Sequence, residues 1–164
     1  MPEITKIVMR NAREQDIPAV VEIDKEAFAI YDSAETPETF LSRMTTFPDG
    51  FIILVADNEI AAYASSEKWL TEREPSLDVN PLGNHHPDGR ILGVTAVAVK
   101  AKYRGKGYGL RILDKLVEVA HHNRCQKVIV QTSRAQGFFL KRGFQKVQTR
   151  IDRGVSVDVM SLDS

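Results

Sequence analysis

The sequence predicts an α+β protein: a mixed, mostly antiparallel sheet with helices inserted in the order β-α-α-β-β-β-α-β-α-β-β. Three observations carry this. Two apolar runs, residues 51–56 and 60–65, are joined by Asp57-Asn58-Glu59, a tight hairpin signal. Residues 92–99 contain several β-branched side chains and no charge, as in a strand buried on both faces. They run into a glycine-rich basic turn and then into a helix bearing Leu110, Leu113, Leu116, Val117 and Ala120 on one face. Near the C-terminus Val155, Val157 and Val159 alternate with the period of a strand.

The remaining elements follow from local chemistry. Residues 4–10 alternate and read as the first strand. Asp16 stands where a helix N-cap belongs, with Pro18 in the first turn, and Ile17, Val20, Val21, Ile23, Ala27 and Phe28 form the inward face. Glu22, Asp24, Lys25 and Glu26 read as that helix's solvated face. After a polar break at residues 31–35, Thr36 caps a second helix with Pro37 at its first position and Phe40, Leu41 and Met44 as its apolar face. Phe47-Pro48-Asp49-Gly50 is a turn. Residues 67–90 hold three turn clusters and read as an irregular, flap-like connection. Residues 127–132 form a strand, Ser133 caps a helix over 134–142, Gly143 ends it, and residues 144–150 return as a strand.

The 164 residues suit one domain spanning the chain. Lys+Arg and Asp+Glu are 22 each, so no cationic field speaks for nucleic-acid binding. No apolar run reaches the ~20 residues of a membrane span, and residues 1–4 carry no leader pattern, so a cytoplasmic protein is expected. The single cysteine, Cys125, allows neither an internal disulfide nor a cysteine-based metal site, and no metal is expected. Its reading is a small core residue.

The turn at 100–109 needs a reason. It holds Gly105, Gly107 and Gly109, each costing about 1 kcal/mol in a helix relative to alanine, flanked by Lys102, Arg104 and Lys106. Free amides at a helix start, with cations beside them, make an anion cradle. A P-loop is excluded by its missing Gly-Lys-Ser/Thr, and a dinucleotide fingerprint by the glycine spacing and by the lack of an acid at residues 128–132.

The run Arg104-Gly105-Lys106-Gly107-Tyr108-Gly109 resembles the coenzyme A diphosphate loop of the GCN5-related N-acetyltransferase superfamily. A second block, residues 134–144, is similar to that family's later helix, with the aromatic pair Phe138-Phe139 and a closing Arg142-Gly143-Phe144. Phe47-Pro48-Asp49-Gly50 and His86-Pro87-Asp88-Gly89 look like the arylalkylamine branch, whose strand histidines are absent here. The resemblance implies a GNAT fold of six to seven strands and about four helices. It implies acetyl-CoA as cofactor, transfer of acetyl to a primary amine of a small molecule or peptide in a ternary complex, and strands 94–99 and 127–132 splayed around the pantetheine arm. The cofactor-binding residues carried over are Val97, Ala98, Val99, Arg104, Gly105, Lys106, Gly107, Tyr108, Gly109, Thr132 and Phe139.

Catalysis requires a proton acceptor for the ammonium and stabilisation of the leaving thiolate. The tyrosine usual in this family is Phe139 here, and the strand positions that carry a base in some members are Gly93 and Thr95. The candidate catalytic residues are therefore His85, His86 and Glu67, with Tyr31 and Tyr108 as further hydroxyls. A coenzyme A-binding sensor without turnover is the alternative function, and a homodimer through the last strand is open.

Overall fold

The computed structural model describes residues 5–28, 35–71, 85–152 and 154–164. Tyr31, the start of the first strand at Ile4 and the middle of the expected flap lie outside the described residues. The elements are β1 (Ile7–Asn11), α1 (Ile17–Phe28), α2 (Pro37–Thr46), β2 (Ile52–Ala56), β3 (Glu59–Trp69), β4 (Ile91–Val99), α3 (Tyr108–His122), β5 (Lys127–Thr132), α4 (Gln136–Arg142), β6 (Gln145–Asp152) and β7 (Val155–Asp163). The strands form one seven-stranded sheet in the order β1-β2-β3-β4-β5-β7-β6. β4 and β5 are parallel and every other neighbouring pair is antiparallel. A parallel pair needs a crossover, and α3 supplies it.

The sheet is buried on both faces. On one face Ile112, Leu113, Leu116 and Ala120 of α3 pack against Leu54, Ala62, Leu92 and Val128. On the other, Val20, Ile23 and Phe40 of α1 and α2 pack against Ile53, Tyr63, Ala96 and Ala98. Leu110, expected inward on α3, is 44% exposed, while Ile112 and Val119 are buried. The helix begins at Tyr108, so its apolar stripe is set by residues that a pattern starting at Leu110 does not include. Cys125 is a core residue as read from the sequence.

A bulge in β4 decides which residues look which way. Ser65 pairs with Ala96 and Ser66 with Val94, which leaves Thr95 as the extra residue. Before it Leu92 and Val94 face α3; after it Ala96 and Ala98 face α1. One inserted residue exchanges the faces of a strand, because side chains alternate with period 2.

Several local expectations are met. Asp57 and Asn58 take positive φ of 49° and 68°, which a two-residue hairpin turn demands. The Thr36 hydroxyl accepts the Thr39 amide at 3.2 Å. Others are corrected. Asp16 ends a 3-10 turn, where its carboxylate accepts the Arg13 amide at 2.8 Å and is clamped by Arg10 at 2.6 and 2.9 Å. Ahead of α4 the acceptor is Thr132, whose hydroxyl takes the Ala135 amide at 2.9 Å, and the helix starts at Gln136. Asp24, placed on the solvated face by pattern alone, is fully buried. Residues 67–69, assigned to the flap, complete β3.

That extension of β3 brings Trp69 across the sheet. A Cβ built on Gly93 would sit 2.2 Å from Cζ2 of the Trp69 indole, so the ring lies directly on this glycine. Trp69 clusters there with Ile91, Ile129 and Val159. Gly93→Ala must displace the ring or β4, and we expect it to lower stability by about 1–3 kcal/mol. A denaturant midpoint shift at constant m reads the loss, and emission from Trp69, the single tryptophan, reads the movement of the ring.

Candidate active site

β4 and β5 pair over only three positions: Ile91 with Lys127, Leu92 with Val128 and Gly93 with Ile129. Beyond Gly93 the two strands diverge, and each is held by its outer neighbour alone. β4 stays registered with β3 as far as Val99. β5 stays registered with β7 as far as Thr132. Among the described residues, the polar backbone on the facing edges therefore has no strand partner within the fork.

The pointing of those groups can be read from two bonds. The Lys100 amide donates inward to Ala61 O at 2.7 Å. The Val99 carbonyl faces the other way and accepts Arg104 Nε at 3.2 Å. Alternation then turns the amides and carbonyls of both Val97 and Val99 into the fork. Their side chains pack against the α3-side core, whereas Ala98 is buried against α1 and α2. Thr132, at the far end of β5, uses its hydroxyl to shape the approach to α4.

The glycine turn opens at the mouth of this fork. Gly107 precedes α3 with φ +82°, a left-handed conformation that favours glycine. A Cβ on Gly105 or Gly107 would meet nothing within 4 Å, so the approach to the helix start is open. A Cβ on Gly109 would lie 3.5 Å from the Phe138 ring and 3.6 Å from Val99. Tyr108 is turned into the core beside Tyr103, ring centres 6.0 Å apart. Its role at the turn is its backbone and its packing.

The cations of the turn divide into tied and untied groups. Glu59, on the β2–β3 hairpin, binds Lys100 at 2.7 Å and Lys102 at 2.8 Å and accepts the Tyr103 hydroxyl. Hydrogen bonds from Lys100, Lys102 and Tyr103 pull the Glu59 carboxyl down to about 2. Glu26 of α1 accepts the Ala101 amide at 2.7 Å and lies 3.6 Å from Arg104. Lys106 has no ion pair among the described residues. Lys102 thus belongs to the scaffold of the turn, and Arg104 and Lys106 border its open side.

The aromatic pair is divided in the same manner. Phe139, at the family's tyrosine position, is buried between Phe138 and Phe144 in edge-to-face contacts with centres 5.1 and 5.4 Å away. Phe138 is the member that reaches Gly109. Helix α4 is short and starts two residues late, which sets this rotation.

The three candidate catalytic side chains separate onto different parts of the sheet. The His86 amide donates to Lys68 O at 2.8 Å, on the β3 edge away from β4. His85 Nδ1 accepts the Lys68 amide at 3.1 Å, and its ring stacks on Phe47 with centres 5.0 Å apart. Phe47 belongs to the α3-side core. Burial, then the charges of Lys68 and His86, lower the His85 pKa and favour the neutral ring. With strands about 4.8 Å apart, β3 and β4 both stand between these histidines and the fork.

Glu67 lies elsewhere. It pairs with Gly93, the last β4 residue joined to β5, so it is level with the root of the fork. Its Oε1 accepts the Trp69 indole N–H at 2.9 Å. Its Oε2 lies 3.6 Å from Arg43 Nη1. Arg43 also grips Glu35 through Nε at 3.0 Å and Nη2 at 2.6 Å. The Glu35 amide donates to Asp24 at 2.8 Å, and the Tyr63 hydroxyl donates to the same carboxylate. All five of these charged or phenolic side chains are buried.

Three buried carboxylates thus share one guanidinium. Burial raises the Glu35 and Asp24 pKa values against the opposing pull of Arg43 and of their hydrogen-bond donors. Tyr63 is raised by burial and by the charge of Asp24 beside it. Sequence inspection misses Arg43, Glu35, Asp24, Trp69, Glu59 and Glu26. The available signal for Arg43 was its place three residues after Phe40, on the apolar side of α2.

Comparison with known proteins agrees with this geometry. The model of the acetyltransferase (GNAT) family matches residues 17–144. The chain belongs to that family. An amino-acid acetyltransferase of Mycobacterium tuberculosis is 26% identical over 150 residues, 90% of this chain and 73% of that protein. YhcX of Bacillus subtilis, named a probable hydrolase, is 26% identical over 132 residues; these are 76% of this chain but 26% of YhcX. The chain thus spans about a quarter of that relative's length. The crystal structure of GphF, a GNAT-like decarboxylase in complex with isobutyryl-CoA, superposes with TM-score 0.78 at 16% identity, over 95% of this chain and 98% of that one. It shares the fold. No helix among the described residues is long and apolar enough to cross a membrane.

The Glu59 cluster yields a pH prediction. A carboxyl lowered to about 2 in the folded chain favours folding above the ordinary value of 4.5 and loses that contribution as pH falls toward 2. The group is solvent-exposed, so salt weakens the effect. Carboxyl 13C NMR is expected to place the Glu59 midpoint near 2, and Glu59→Gln should remove the matching segment of the stability-versus-pH curve.

Proposed function

We propose that this chain transfers the acetyl group of acetyl-CoA to a primary amine of a small molecule or peptide, by direct attack with both substrates bound. The observation that carries the reading is the β4–β5 fork opening at a glycine turn whose helix start is uncovered. A pantetheine arm needs a slot of backbone donors and acceptors, and a diphosphate needs clustered amides beside positive charge. The residues present fit both. Val97 and Val99 would hold the arm through their backbones, with Ala98 as the small residue between them. Amides of residues 105–109, with Arg104 and Lys106, would hold the diphosphate. Tyr108 and Thr132 would support the two sides, and Phe139 would back the site from the core.

The thioester supplies an activated acetyl carbonyl. The chain's own contribution is threefold. The Val97 amide polarises that carbonyl, as an oxyanion-hole donor does. The fork fixes the thioester against the acceptor and so removes the entropy of a bimolecular encounter. A buried carboxylate on the α1–α2 face meets the amine's proton. His85 and His86 lie at the β3 edge, with His85 on the α3 side, and would take no part in that proton transfer.

A second reading is a coenzyme A-binding sensor without turnover. Phe139 supports it, because a buried phenyl ring has no proton for the departing sulfur.

Two measurements test these readings. Isothermal calorimetry should show acetyl-CoA binding to the wild type, and Gly107→Glu should abolish it, because a carboxylate would enter the open side of the cradle and repel phosphate. Binding that survives the substitution would remove the loop assignment. Thiol release with at least one member of an amine, amino-acid and peptide panel is expected. Tight binding with no release across the panel would favour the sensor.

A further inference from the structure

We propose that Glu67 is the proton acceptor for the substrate ammonium, with Arg43 and Trp69 as the positioning residues that hold its carboxylate level with the root of the fork. The proposal rests on the transferase reading above and names how that site handles its proton.

Glu67 pairs with Gly93, the last position where β4 touches β5, so it is level with the root of the fork, one strand away from it. Tyr63, Ser65, Glu67 and Trp69 alternate onto the face that α1 and α2 cover, with Ser65 bonded to Thr95 at 2.6 Å. Gly93 offers no side chain on that face. The Trp69 ring uses the space, lying over Gly93 and handing its N–H to Glu67. The carboxylate is therefore held from β3, at the level where a β4 side chain would otherwise project.

A buried carboxylate stays ionised only with a cation and hydrogen bonds around it. Arg43 supplies the cation to Glu67 at 3.6 Å while its other nitrogens bind Glu35 at 2.6 and 3.0 Å. Among the described residues, Arg43 of α2 and Trp69 of β3 contact Glu67, Glu35 shares the Arg43 guanidinium, and Asp24 of α1 is joined to the same network through Glu35 and Tyr63. On β5, Lys127 stands two residues before Ile129 on the same face.

The step balances. The ammonium gives one proton to the Glu67 carboxylate, directly or through one water. The freed nitrogen lone pair forms the N–C bond to the acetyl carbonyl carbon and the C–S bond breaks. The sulfur takes the electron pair and the second amine proton and leaves as the thiol of coenzyme A. The Glu67 carboxylic acid returns its proton to solvent.

The single tryptophan makes the proposal readable without turnover. Trp69 emission in the wild type is expected to titrate with Glu67, and Glu67→Gln should remove that step while acetyl-CoA affinity is kept. With an amine identified from the panel, the acid limb of kcat/KM should share the emission midpoint. Glu67→Gln should lower kcat by about a hundredfold or more. Trp69→Phe removes one donor to the carboxylate, and it should shift the acid limb upward at unchanged acetyl-CoA affinity. A purely structural role for the cluster would lower thermal stability in these variants and leave the limb in place.

An active wild type with Glu67→Gln at normal rate and unshifted limb overturns the proposal and leaves the transferase reading standing. So does wild-type emission with no step that Glu67→Gln removes. A wild type that binds acetyl-CoA but acetylates no amine overturns both.

Discussion

The parting of β4 and β5 after Gly93 and Ile129 is the constraint on which the rest of this molecule depends. A buried backbone amide or carbonyl without a partner costs about 1–3 kcal/mol, so a sheet opens in its interior only when each strand is secured from outside. Here β3 holds β4 along its length and β7 holds β5 along its length. The first gives the cleft one rigid wall, the second gives it the other. The antiparallel character of the outer sheet thus underlies the chemistry of its single parallel pair.

The same division of labour governs charge. The chain is neutral overall, yet one turn gathers five cations between Lys100 and Arg111. Glu59 and Glu26 reach in from the β2–β3 hairpin and from α1 and fix the base of that turn. The tied lysines become part of its framework, and the open amides before α3 keep their approach clear. An anion site of the kind proposed for this turn does not require a cationic protein, because helix-start amides and a few side chains act locally.

On the opposite side of the sheet the order of events is reversed, and polar groups are gathered where apolar ones would be expected. The bulge at Thr95 exchanges the faces of β4, and the small side chains of Ser65, Thr95 and Gly93 make room for Glu67 and for the indole that covers it. Arg43, Glu35, Asp24 and Tyr63 then complete a buried ionic network joining α1, α2 and β3. Such a network adds little net stability, since desolvation offsets its attraction. Its retention in a core otherwise built from Phe, Ile and Val fits a chemical use.

What the chain's order of residues determined by itself was local. Period and turn chemistry gave the element order, the hairpin at Asp57-Asn58, the Thr36 cap and the glycine turn before α3, because each of these depends on neighbours within a few residues. The family motif at residues 104–109 carried the expectation of a fork, and the register of β4 with β5 agrees with it. What only the tertiary structure decided was which polar residues meet. Asp24 read as a solvated residue and is buried; Glu67, read at the end of the third strand where an irregular stretch begins, lies inside a strand that runs on to Trp69; His85 and Glu67 ended on opposite faces. Their neighbours across the sheet, 20 to 40 positions away in the chain, set those outcomes. Periodicity carries no term for a contact between strands, a bulge that flips a face, or a cation supplied from another helix.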